Sequence, residues 1–367
     1  MSSSYGNFTQ TLLETLQSTS QTLTTSYWGP ALGLTLFGYG LLRHFVITGA
    51  TTNGEQQDMR GRIVMITGAT SGIGLYTATV LYRQGAKVYL ACRNEEKTRQ
   101  VIQEIKQTVR DERLDGGSLH FVKMVLDDLE SVKEGVDEFL KTGDVLDVLI
   151  NNAGCVSKEI EFTKQGFETM FQSNALGHHL LIELLWSNLE KNPRGARIVV
   201  VASMAHMFVN NGDFTKIDGK YTLANRVKNP RDAFSSFGYW DVNKQYGFSK
   251  LCNIFQVKHL HETRVKNNPN CKITINCCHP GAIQTGLTRE MPTIMSSIFA
   301  LPQLLFFKNV KQGSQNTLHL ACSDDVKDVS GLYFDDCKPA ATYQVALNKD
   351  LQDDYARIAQ EAIQPYL

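Results

Sequence analysis

Downstream of Gly61 the chain returns repeatedly to short runs rich in Val, Ile and Leu, at 63–67, 87–91, 119–124, 145–150, 197–202 and 272–277. No two of these runs lie at hairpin spacing. Helical stretches of roughly 10–20 residues separate them instead. Strands joined through helices must cross over and align in parallel, and a parallel sheet needs both faces covered. The expected fold is therefore α/β: a doubly wound parallel sheet with helices on both faces. No internal repeat is apparent.

The run at 63–67 leads straight into Thr67-Gly68-Ala69-Thr70-Ser71-Gly72-Ile73-Gly74 and then into a helical stretch. Glycines allow a tight turn and let the backbone approach a pyrophosphate. The helix N-terminus adds free N–H groups and the positive end of its dipole. Gly68, Ser71, Gly72, Ile73 and Gly74 are thus candidates for holding a dinucleotide, and the sheet is expected to be Rossmann-type. The second run ends in Cys92-Arg93-Asn94. A dinucleotide lacking a 2′-phosphate is usually gripped there by Asp or Glu, whereas the cation of Arg93 suits a 2′-phosphate. NADP(H) is accordingly favoured over NAD(H).

Upstream of this region, residues 1–26 read as a polar tail rich in Ser, Thr and Gln. Residues 27–47 are uncharged up to Arg43. The uninterrupted part is about 16 residues, short of the roughly 20 a span needs, but about 21 if Arg43 snorkels. No basic region precedes it, which argues against a signal peptide. A membrane anchor is expected, with a helix packed on the domain as the alternative. Residues 48–60 form a linker. Arg43, Arg60 and Arg62 follow the apolar stretch and would keep the remainder on the cytoplasmic side.

The 37 basic and 37 acidic side chains balance, which argues against a general nucleic-acid or anionic-membrane binder. The eight cysteines, Cys92, Cys155, Cys252, Cys271, Cys277, Cys278, Cys322 and Cys337, include no Cys-x-x-Cys pair and no zinc-like spacing. They read as reduced core thiols with no metal site. Cys155 alone is kept as a candidate reactive thiol.

Further motifs follow in order. Asn151-Asn152-Ala153-Gly154 ends the fourth run, and Asn174 lies in Ser-Asn-Ala-Leu-Gly-His-His. Ser203 closes the fifth run in Val-Val-Val-Ala-Ser-Met-Ala-His, and Tyr246-Gly-Phe-Ser-Lys250 gives Tyr-x-x-x-Lys. His279-Pro280-Gly281-Ala282-Ile283-Gln284-Thr285 follows the last run. With the glycine turn, this set resembles the short-chain dehydrogenase/reductase family over 61–367. The segments 249–255 and 331–337 point to its retinol-dehydrogenase and WW-domain-containing-oxidoreductase branch, although no WW domain is present. The chain is also similar to fungal members of that branch that associate with lipid droplets.

The resemblance implies cofactor contacts at Asn152, Ala153 and Gly154, at the Ile283 backbone and at the Thr285 hydroxyl. It also implies a water held by Asn174 that links Lys250 to solvent. Two departures stand out. Val125 occupies the place where this branch carries an adenine-contacting Asp, leaving Asp127 as substitute or the contact absent. About 43 residues separate Ser203 from Tyr246, against a dozen or so in the simplest members. The insert, around 210–240, is expected beside the active-site mouth.

Tyr246 and Lys250 share one face of a helix. A free phenol titrates near 10, and an adjacent ammonium is expected to lower it. Tyr246 would donate the proton in reduction and remove it in oxidation. Lys250 would also bond the nicotinamide ribose, and Ser203 would position the reacting oxygen. His178, His179 and His206 are expected to pack or hydrogen-bond structurally.

The apolar segment 286–310 lies where the family carries a substrate lid, and 346–367 reads as a C-terminal helix. With 27–47, the lid suggests a lipophilic substrate of retinoid, steroid, fatty-aldehyde or polyisoprenoid type. It would be taken from a membrane or lipid-droplet surface, with the catalytic domain facing the cytoplasm from the endoplasmic reticulum or a droplet. A core helix is the alternative for this segment. Two other function classes stay open: a cofactor-binding scaffold of little activity and a membrane-tethering protein. A homodimer is also open.

Overall fold

The apolar runs form the strands β1 (Ile63–Thr67), β2 (Lys87–Cys92), β3 (Ser118–Lys123), β4 (Val148–Asn151), β5 (Ala196–Val201) and β8 (Ile273–Cys278). This is a computed structural model, and it describes residues 52–112, 116–157, 159–228, 239–281, 283 and 308–367. The expected tail and anchor at 1–47, Thr285 and the lid residues 286–307 lie outside the described residues. All described residues belong to the unit Ala50–Leu367.

Four further strands of the described chain were not visible as apolar runs, and two of them extend the sheet edge. A small antiparallel hairpin, β6 (Thr215–Ile217) with β7 (Lys220–Thr222), stands apart in the insert. β9 (Tyr333–Asp335) pairs in parallel with β8, and β10 (Lys338–Pro339) pairs antiparallel with β9. The sheet order is β10-β9-β8-β5-β4-β1-β2-β3. Every pair from β9 through β3 is parallel. The turn between β9 and β10 puts Asp336 and Cys337 in the left-handed region, at φ 46° and 61°. Neither is glycine, so this tight reversal is held from outside: the Cys337 N–H donates to Asn316 Oδ1 at 3.1 Å.

The strands separate two cores because successive side chains point to opposite faces. Met65, Leu149, Ile198 and Val200 face one way, with Phe139, Leu185 and Phe255. Their cover is helices α3 (Leu129–Leu140), α4 (Gly177–Glu190), α5 (Tyr239–Leu260) and α7 (Lys349–Ile363). Val64, Ile66, Ile150 and Val199 face the other way, toward α1 (Gly72–Arg83), α2 (Glu95–Asp111) and α6 (Val310–Cys322). Helix α2 shows the local logic. Asn94 caps it, its side-chain oxygen accepting from the Lys97 N–H at 2.8 Å, and Val101, Ile102, Ile105 and Val109 line its buried stripe.

The connection order reverses at β1, whose neighbours are β2 on one side and β4 on the other. In open sheets of this kind the crevice at the C-terminal strand ends, beside that reversal, is the natural binding site. The glycine turn leaves β1 there, and Asn152-Ala153-Gly154 leaves β4 beside it.

Candidate active site

The glycine turn is built as its sequence suggests. Ser71 stands at the N-cap position of α1 with no side-chain cap bond, and Gly72 takes φ 56°. A β-carbon at Gly74 would come 2.4 Å from both Asn152 Nδ2 and the Gly68 carbonyl. Only glycine allows this helix N-terminus to close on the neighbouring loop. Asn152 reinforces the contact, its Nδ2 donating to the Thr67 carbonyl at 2.8 Å. Thr67 Oγ1 accepts from the backbone N–H groups of Asn152 and Ala153 at 3.0 and 2.9 Å. Arg93 is exposed at the end of β2 and forms no hydrogen bond or ion pair among the described residues.

Lys250 is almost wholly buried, and its Nζ donates to the carbonyl of Val201, the last residue of β5, at 2.9 Å. A side chain at Gly154 would approach that nitrogen to 3.2 Å, so the loop after β4 borders Lys250 directly. Ser203 lies just past β5. Its Oγ accepts from the Ala205 N–H at 3.1 Å, capping the short 3-10 helix Met204–Phe208. Helix α5 reaches this loop because residue 247 is glycine: a β-carbon there would sit 2.4 Å from the Ala205 carbonyl. That approach sets Tyr246 against Ser203.

The electrostatics correct one expectation. Tyr246 keeps a partly exposed face, yet burial of its hydroxyl pushes its pKa up to about 12, with a hydrogen bond to Ser203 offsetting part of the rise. Burial also takes the Lys250 ammonium down to about 8. Lys250 therefore does not lower the phenol in this arrangement. Its nitrogen is turned to the Val201 carbonyl and lies 5.8 Å from the centre of the Tyr246 ring. Both groups share one desolvated region, and burial disfavours the charged form of each.

Asn174 sits in a π turn, Gln172–Leu176, ahead of α4. Its side chain clasps the loop after β4. Oδ1 accepts from the Cys155 N–H at 2.8 Å, and Nδ2 donates to the Cys155 carbonyl at 3.0 Å. Nδ2 also donates to Ser249 Oγ at 2.9 Å, and that hydroxyl donates to the Tyr246 carbonyl at 2.7 Å. Asn174 thus ties the Asn-Ala-Gly loop to the helix carrying Tyr246 and Lys250. Ile283 is buried and bridges to Lys308. Thr285 is outside the described residues.

The histidines are structural in their contacts. His206 Nδ1 bonds the Ser203 carbonyl at 2.7 Å, and its Nε2 accepts the Tyr343 N–H at 3.3 Å. His179 packs edge-on against Tyr355. All eight cysteines are free. Burial raises the Cys155 thiol, which argues against a reactive thiolate. Among the described residues no group of His, Cys, Asp and Glu could hold a metal. At the adenine end, the Val125 N–H bonds Ser131 Oγ at 3.2 Å. Asp127 is half-buried and makes no hydrogen bond among the described residues.

Sequence reasoning missed how the insert is held. Asp213 pairs with the buried Arg226 at 3.3 Å and with Lys244 at 2.7 Å. Gln245, next to Tyr246, donates to the buried Glu168 carboxylate at 2.8 Å and to the Arg226 carbonyl at 3.1 Å. Asp354 on α7 accepts from Thr222 Oγ1 at 2.9 Å and from the Leu223 N–H at 2.7 Å. None of these partners lies at a spacing that a sequence motif would flag.

A dinucleotide cradle that shares its walls with a serine, a tyrosine and a lysine is the arrangement of a nicotinamide-dependent oxidoreductase. Residues 62–213 match the short chain dehydrogenase family. Retinol dehydrogenase 14 of Mus musculus is 34% identical over 307 residues, spanning 81% of this chain and 84% of that protein. The WW domain-containing oxidoreductase of Pongo abelii is 30% identical over 284 residues, spanning 77% of this chain and 63% of that one. A solved protein from Mycobacterium paratuberculosis superimposes with a TM-score of 0.62 at 23% identity, over 86% of this chain and 98% of that chain, and shows the shared fold. The chain belongs to the short-chain dehydrogenase family and is an oxidoreductase acting on CH–OH and C=O groups, with a fold that binds a nicotinamide cofactor.

Proposed function

We propose that this protein is an NADP(H)-dependent oxidoreductase for a lipophilic carbonyl or alcohol, with Ser203, Tyr246, Lys250 and Asn174 as its catalytic set. The observation that carries the reading is that Lys250 borders the loop after β4, which closes on the glycine turn, while Tyr246 on the same helix lies against Ser203. The residues present fit the dinucleotide. Gly74 packs against Asn152 and the Gly68 carbonyl with no space for a β-carbon, which holds the N-terminus of α1 beside the loop after β4. Gly68, Ser71, Gly72, Ile73 and Gly74 would hold the pyrophosphate, with Asn152, Ala153 and Gly154 beside it. Ile283 and Thr285 would hold the carboxamide end, and Arg93, exposed and unpaired among the described residues, would take the 2′-phosphate.

The bound nicotinamide supplies or accepts the hydride. Tyr246, neutral at physiological pH because burial holds its pKa near 12, is set to give its proton to the oxygen of a reduced carbonyl. Ser203 positions that oxygen. Lys250, charged below about pH 8, would bond the nicotinamide ribose and be the source from which a proton returns to Tyr246 after the transfer. In oxidation the same groups run in reverse. Asn174 holds the loop and the helix in register, and a water on it would connect Lys250 to solvent.

The retinol dehydrogenase relative supports a lipophilic substrate, within which retinoid, steroid, fatty-aldehyde and polyisoprenoid carbonyls fit equally. Residues 27–47 are proposed as a membrane anchor or lipid-droplet segment, with 61–367 as the cytoplasm-facing catalytic domain. Among the described residues no helix is long and apolar enough to cross a membrane.

The test is a panel of apolar aldehydes, ketones and alcohols with NADPH or NADP, followed by absorbance of the reduced cofactor. Tyr246→Phe should lower turnover by about a hundredfold or more while leaving cofactor binding intact. Equal turnover in the variant would end the assignment.

A further inference from the structure

His178 is wholly buried in α4, on the face turned to the sheet, and both of its ring nitrogens are engaged. Nε2 lies 2.9 Å from Thr67 Oγ1, and Nδ1 lies 3.0 Å from the Asn174 carbonyl. The direction of each bond follows from counting. A threonine hydroxyl has one proton and two acceptor sites. The Asn152 and Ala153 N–H groups fill both acceptor sites. The Thr67 proton therefore goes to His178 Nε2, which must be bare. The histidine's own proton is then on Nδ1, where the Asn174 carbonyl accepts it. Burial agrees with a neutral ring, taking the pKa of His178 down to about 4.

We infer that His178 is a positioning residue: in its neutral Nδ1–H form it locks Thr67, and through Thr67 the Asn152-Ala153 backbone, onto the helix turn that carries Asn174. A phenylalanine or leucine would fill the space as well as an imidazole. Burying two polar nitrogens is costly unless both are bonded, and here each bond lands on a different wall of the cofactor crevice. The chain of bonds runs from the strand that starts the phosphate turn, through α4, to the residue that clasps Cys155. Its effect should appear in dinucleotide binding, because Thr67 orders the backbone that borders the dinucleotide, whereas Tyr246 and Lys250 reach Asn174 through the separate Ser249 contact. This inference rests on the proposed cofactor role of Asn152 to Gly154.

The experiment measures the Kd of NADPH by fluorescence, with kcat at saturating NADPH, in folded wild type and variants. His178→Phe and Thr67→Val should each raise Kd about tenfold, with kcat changed far less. The double variant should bind no more weakly than Thr67→Val alone, since one bond is removed once. His178→Gln, which returns an acceptor toward Thr67, and Thr67→Ser should recover most of the loss. A purely structural histidine would lower thermal stability and leave the Kd of the folded fraction unchanged. That outcome, or multiplicative effects in the double variant, overturns the inference.

Nitrogen-15 shifts of the His178 ring in the wild type test it without any variant, and so decide the case if His178→Phe does not fold. A proton on Nε2 overturns the inference. Wild-type protein that binds neither NADPH nor NADH would instead refute the proposed function, a result separable from the ring's tautomer.

Discussion

Lys250 offers a measurement in which function and stability pull apart. Its ammonium titrates at about 8 in the fold because burial disfavours the charge, whereas in the unfolded chain it titrates near 10.4. Keeping it charged at neutral pH therefore costs the fold about 3 kcal/mol. Between the two values the unfolded chain binds more protons than the native state. Stability must then rise with pH across that window, with the penalty present in full below the folded value and gone above the unfolded one. Lys250→Met keeps the length of the side chain and removes the titration. Relative to that variant, the wild type should gain about 2.5 kcal/mol between pH 7 and pH 10. Other titrating groups are common to both proteins and cancel in the difference. The lost bond to the Val201 carbonyl offsets the two curves by a constant and leaves their slopes alone. Urea unfolding midpoints for both proteins across this range, with equal m-values, measure the effect. Parallel curves would refute the reasoning, because they would mean that Lys250 is not a buried charge. Turnover should be lost in Lys250→Met at every pH.

The same site predicts that the wild-type rate of carbonyl reduction falls as pH rises through about 8, since neutral Lys250 has no ammonium proton to return to Tyr246; a flat kcat profile from pH 7 to about 9 would contradict this. Arg93→Glu should weaken NADPH by about tenfold or more and leave NADH little changed, read as the ratio of the two Kd values. Tighter binding of NADH than of NADPH by the wild type would overturn the cofactor preference. Gly247→Ala places a β-carbon 2.4 Å from the Ala205 carbonyl, so α5 must move away from Ser203. Turnover should fall by about a hundredfold with NADPH affinity retained, since a displacement near 1 Å suffices for such a loss. Arg226→Met removes the buried one of the two cations on Asp213 while Lys244 stays, and should cost about 1.5–3 kcal/mol of stability; a change below about 0.5 kcal/mol in urea unfolding would contradict a tightly built insert.

How much of this was legible beforehand follows from the range of each interaction. Strands β1, β2, β4, β5 and β8 lie inside the sheet and are largely buried on both faces, so each appears in the chain as a mostly apolar run, whereas β3 at the edge is half-buried and mixes Leu119 and Val122 with His120 and Lys123. β9 and β10 carry three and two residues, too few for any pattern. They exist because β8 offers an unpaired edge and Asn316 holds the turn at Cys337. The hairpin β6–β7 is exposed along most of its length and has no hydrophobic alternation to read. The phosphate turn and the Tyr-x-x-x-Lys pair were readable because a local backbone geometry fixes their spacing.

The sequence by itself determined the chemistry on offer: a strand–turn–helix that only glycine can close, and a tyrosine and lysine one helical turn apart. It could not determine the charge states, because those depend on how much water the whole fold removes. The four-residue spacing suggested that Lys250 would pull the Tyr246 phenol down. Burial raises it instead, because the two groups share one desolvated region and Lys250 Nζ is turned to the Val201 carbonyl. Nor could the sequence reveal that His178 stands between Thr67 and Asn174, residues 111 and 4 positions away. A buried histidine at a helical spacing reads as packing until the fold shows what each ring nitrogen meets. Local sequence sets which bonds a residue is able to make, and only the tertiary structure, by excluding water and fixing partners distant in the chain, decides which of them it makes.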